Sequence, residues 1–137
     1  MEIPYKFLIE RGAIILSNDI ENINHPKFFV VIGENSDNIV GFFFINSNIN
    51  KIISSKQDFL DMQVIIKHED YPEILKYTSF IDCHRLRHIP KSKLEKQLEN
   101  KKASYKGKLK QEDIDRIIET LLTSDLFSNV EKKTFFK

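Results

Sequence analysis

The strongest constraint on this chain is a series of short apolar segments separated by polar turn clusters. They fall at residues 12–16, 27–32, 39–45, 62–67 and 79–89. Most are strand length and rich in Val, Ile and Phe, which fit a pleated, half-buried surface. Ser17-Asn18-Asp19 closes the first segment, and Gly33 with the polar run 34–38 closes the second. That second connection is short, so segments two and three should form an antiparallel hairpin. His68 to Pro72 reads as a turn. Five strands with little helix between them argue against βαβ units. They predict a β-rich α+β fold, built on a twisted antiparallel sheet or small barrel.

The C-terminal third changes period. Ile114, Ile117, Ile118, Leu121 and Leu122 form one helical stripe. Glu112, Asp113 and Asp115 stand at its start, where the helix dipole favours negative charge. A shorter helix is expected from Ser92, which with Glu95 fits a capping box. Leu94 and Leu98 are its apolar pair, and residues 100–102 end it. Residues 124–128 end the last helix, after which Phe135 and Phe136 can dock as a tail.

At 137 residues and 41% apolar, residues 1–137 read as a single domain with a real core. Cys83 is the only cysteine, which excludes an intrachain disulfide and a CxxC metal site. The N-terminus lacks the basic flank and long apolar run of a signal peptide. The longest apolar run, 40–45, is too short to span a bilayer. A soluble, cytoplasmic protein without membrane association is the expectation.

The net charge of +1 hides an asymmetry. Residues 1–83 carry −5, residues 84–110 carry +8, and residues 111–137 carry −2. Such a basic block concentrates phosphate-bearing ligands. A solvated lysine-rich surface is the competing reading. The block begins beside Asp82, His84 and Arg85. Strand periodicity puts Asp82 and His84 on one face, with Cys83 and Arg85 on the other. Together these features point to a polyanion partner, with RNA foremost.

The order of motifs resembles the MazF/PemK/Kid toxins of type II toxin–antitoxin systems. The matching pieces are Gly12, the segments 27–32 and 44–47, the Asp-bearing segment 79–82, and residues 107–113 before the last helix. The resemblance implies a small SH3-like antiparallel β-barrel with a C-terminal helix and a short additional helix. It further implies a homodimer, metal-independent endoribonuclease (mRNA interferase) activity on single-stranded RNA, and an antitoxin protein as partner. Lys27 stands where the family carries a catalytic Arg, which keeps the charge but loses the planar fork. Asn46 stands at the catalytic Thr or Ser position, with Ser47 one residue along. Asp82 matches the family's Asp, and Phe80 stands where some members carry an Arg.

Attack of a 2′-OH on the adjacent phosphate needs a base, a cation for the phosphorane and an acid for the leaving oxygen. Lys27 and Arg85 are assigned to phosphate, and His25 or His84 to proton transfer. Ser47 and Asp82 would orient the ribose or a catalytic neighbour. Asn46, Arg85, Arg87, Lys91 and Lys93 are the candidate nucleic-acid contacts. His84 and His88, four apart on a strand, are a weak metal spacing. No metal or other cofactor is expected. Cys83 is expected to be buried. The alternative is a non-catalytic PemK-like fold that binds nucleic acid or a protein partner.

Overall fold

The computed structural model describes residues 4–20, 25–47 and 55–137. The N-terminal segment therefore lies partly outside the described residues.

The chain begins with a single helical turn, α1 (Tyr5–Leu8), followed by strands β1 (Ala13–Ser17), β2 (Lys27–Glu34) and β3 (Ile39–Asn46). A turn of helix, α2 (Gln57–Leu60), precedes β4 (Gln63–Ile66), then β5 (Ser79–Asp82) and β6 (Arg87–Pro90). Helix α3 (Lys91–Glu99), strand β7 (Ala103–Lys108) and helix α4 (Gln111–Thr123) follow. The chain closes with α5 (Asn129–Glu131) and a π-helical turn at Lys132–Phe136.

All pairings are antiparallel, in the order β4-β5-β3-β2-β1-β7. The fold is α+β, and the sheet is not closed into a barrel: β4 and β7 are its two ends. β3 is the hub. Its length lets it pair with β2 on one side, and with β6 then β5 on the other. The β2–β3 hairpin forms as expected. The Asn35 side chain caps its turn by accepting from the Asp37 and Ile39 amides, at 2.9 and 3.0 Å.

β2 and β3 are buried on both faces, which is why both read as nearly continuous apolar runs. Val30, Ile32, Phe43 and Ile45 point to one cluster, which α4 closes with Ile114, Ile117 and Leu121. Phe29, Val31, Phe42 and Phe44 point to a second cluster, which α3 closes with Leu94 and Leu98. Phe135 and Phe136 dock in the first cluster, as their apolar character led one to expect. They sit against a notch in the sheet. A Cβ on Gly33 would lie 2.4 Å from the Phe135 carbonyl oxygen, and one on Gly41 2.9 Å from its ring. Arg11 holds the same tail, donating to the carbonyls of Ile32 and Phe135 at 2.8 and 3.0 Å.

Three local expectations are corrected. The fifth segment is two strands, broken by a turn at residues 83–86, because the Cys83 amide turns to the carbonyls of Met62 and Ile81. Ser92 forms no capping box: α3 starts one residue earlier, behind Pro90, so Ser92 already lies in its first turn. The capping box is instead at Ser128 and Glu131. The seventh strand was not expected, since its Ser, Lys and Gly residues carry little apolar signal.

Candidate functional site

The register of five strands gathers polar groups at one end of the second apolar cluster. β3 side chains alternate, so Asn46 shares a face with Phe42 and Phe44. Across β5, Asn46 stands opposite Phe80, and Asp82 is two residues on, on the same face. Across β4, Gln63 stands opposite Asp82. Arg87 of β6 stands opposite Phe42. Lys27, the first residue of β2, reaches the same place.

Each of these groups is held. The Lys27 amine donates to Asn46 Oδ1 and lies 5.3 Å from the centre of the Phe44 ring. The Arg87 guanidinium lies 4.2 Å from the same ring, a cation–π contact. Asp82 is buried and accepts from Gln63 Nε2 at 2.7 Å and from His84 Nδ1. Gln63 also donates to the Phe59 carbonyl, at 3.2 Å. The His84 ring packs on Phe59 at 4.6 Å between centres. The imidazole is thus fixed by a carboxylate at one edge and an aromatic ring on its flank.

The electrostatics join the two halves. Burial holds the Lys27 ammonium below the usual lysine pKa. The Arg87 charge pushes in the same direction, and Asp82 opposes it. Two cations therefore converge beside one buried carboxylate. In the tautomer that donates Nδ1–H to Asp82, Nε2 of His84 is left as the proton acceptor. A carboxylate-oriented imidazole beside paired cations can move a proton and hold an anionic phosphorus centre.

The other candidates are distributed as follows. His25 and Ser47 are exposed and line a cavity of about 380 Å³ that Lys27 also borders. That cavity runs under Phe28, Ile45, Ile74 and Leu75, side chains of the opposite sheet face. Arg85 is exposed in the 83–86 turn. Lys91 pairs with Glu34 at 2.9 Å, and Lys93 is exposed on α3. Both sit beyond the Ile39 end of β3, about 20 Å from Asn46 by the rise of an extended strand. His84 and His88 are separated by the turn, and His88 packs on Phe135 at 5.3 Å. Cys83 is buried, and burial pushes its thiol pKa up.

Gln63, Phe59 and Phe44 were not legible as site residues. Their signal lies in cross-strand register, which a single strand's pattern does not carry. Among the described residues no helix is long and apolar enough to cross a membrane. Neither a protein-family model nor a curated protein matches the chain.

Proposed function

We propose that the protein is a metal-independent endoribonuclease acting on single-stranded RNA, of the kind used as toxins in toxin–antitoxin systems. The observation that carries this reading is the Asp82–His84 pair beside Lys27 and Arg87. His84 takes the proton of a ribose 2′-OH as its oxygen bonds to the adjacent phosphorus. The bond to the 5′-oxygen then breaks, and that oxygen takes back the proton, from the His84 imidazolium directly or through a water. The products are a 2′,3′-cyclic phosphate and a 5′-hydroxyl. Lys27 and Arg87 offset the charge that builds on the phosphorane. Arg87 thereby takes the phosphate role first assigned to Arg85.

An SH3-like arrangement of the strands, a cytoplasmic homodimer and an antitoxin partner belong to the same reading. The exposed Ile65 on the end strand β4 gives a protein partner an apolar foothold near the site. A second reading, an RNA-binding protein without cleavage, is favoured by the Lys27–Asn46 bond, which occupies the amine.

Incubation with a long single-stranded RNA in EDTA tests both. Cleavage by wild type should fall about 10²-fold or more in His84→Ala and in Asp82→Asn. Salt-dependent binding without cleavage would establish the second reading, and neither activity would end both.

A further inference from the structure

We infer that the cavity beside Lys27 is a nucleobase subsite, one that receives the base adjoining the phosphate held by Lys27. The inference rests on the reading of RNA as substrate and names how that substrate is gripped. The cavity, about 380 Å³, is within the range of small-molecule sites. Its walls are Phe28, Ile45, Ile74 and Leu75, which suit the faces of a planar ring. Its rim carries Lys27, Lys76 and Ser47, and no carboxylate among the described lining residues. Apolar walls with a cationic, hydroxyl-bearing rim match a base joined to a phosphate, and disfavour a cationic or purely apolar occupant.

The walls are fixed before any ligand arrives. The Ile74 and Leu75 amides donate to the Tyr71 carbonyl at 3.1 and 2.9 Å. Buried Ser79 donates its hydroxyl to the Tyr77 carbonyl at 2.9 Å. That contact holds the backbone of Tyr77, a residue 67% exposed at the cavity. An exposed aromatic at the edge of an apolar slot is a stacking platform. Lys27 is shared by this slot and the polar end of the sheet, where its amine meets Asn46 and the Phe44 ring. A base enters such a slot only when unstacked, which selects single strands over duplex.

The test is a binding cycle on a short RNA strand with 2′-O-methyl riboses, which cannot be cleaved. Wild type and Tyr77→Ala are each measured against that strand and against versions with an abasic residue at successive positions. Tyr77→Ala should weaken binding on the order of tenfold. At one position the abasic strand should lose a similar factor, and the two losses should not add. Tyr77→Phe should restore the affinity. Losses that add at every position, or no effect of Tyr77→Ala on a strand that wild type binds, would overturn the inference and leave the function standing. Failure of wild type to bind or cut any RNA would remove the function and the inference together.

Discussion

Lys27 shows how a single residue can be placed for chemistry at the expense of comfort. Its ammonium is partly desolvated and stands near the Arg87 charge, and one carboxylate, Asp82, opposes both effects. Asp82 keeps Gln63 and His84 as partners without it. Lys27→Met should therefore hold or raise the thermal midpoint, while RNA cleavage falls about 10²-fold or more. A fall in midpoint beyond about 5 °C would mark Lys27 as structural instead. Strand period put Asp82 and His84 on one face, and they do meet, but across the turn at residues 83–86 rather than along a strand. The roles of Gln63 and Phe59 were not readable, because they depend on which strand lies alongside.

At the level of elements, the start of α4 is tied to the sheet through Tyr71. Its hydroxyl donates to buried Asp113 at 2.5 Å and accepts from the Lys110 amide at 2.8 Å. Arg116 bonds the other oxygen of Asp113 at 2.7 Å and the Ile65 carbonyl of β4 at 2.6 Å. Burial and the Asp113 carboxylate raise the Tyr71 pKa above its ordinary value of 10.0. The folded phenol thus keeps its proton where the unfolded one loses it. This stability is complete below about pH 10 and declines as pH rises towards the folded value. Denaturant midpoints from about pH 8 to pH 11 should show that decline in wild type and a flatter profile in Tyr71→Phe. The variant should also lose about 1–3 kcal/mol at neutral pH. The α4 stripe was plain in the sequence, since Ile114, Ile117 and Leu121 obey one period. Asp113 looked like a dipole partner at the helix start; the fold makes it a buried acceptor, which needed the position of Tyr71, 42 residues away. β7 escaped notice for a related reason: β1 supplies most of the apolar surface of that pair.

For the whole molecule, the fold redistributes the charge that the sequence concentrates. Lys91, Lys102, Lys108 and Lys110 reach back to Glu34, Asp19, Glu10 and Asp70. Four of the ten cations in the block 84–110 are therefore matched to the acidic first part of the chain, and only some of the rest face the candidate site. Salt titration of RNA binding should reflect this. Lys27→Ala should lower the slope of log affinity against log salt by about 0.7, whereas Lys102→Ala with Lys108→Ala should leave it nearly unchanged. A block-wide loss of slope in the double variant would restore the basic tract as the RNA surface. The notch at Gly33 and Gly41, filled by Phe135, has a consequence for synthesis. On the ribosome, the α3-covered cluster has its last partner once Tyr105 emerges. The α4-covered cluster waits for Phe136, more than thirty residues later. During that interval the nascent chain presents an unfilled apolar groove, the kind of transient surface that chaperones protect and proteases find.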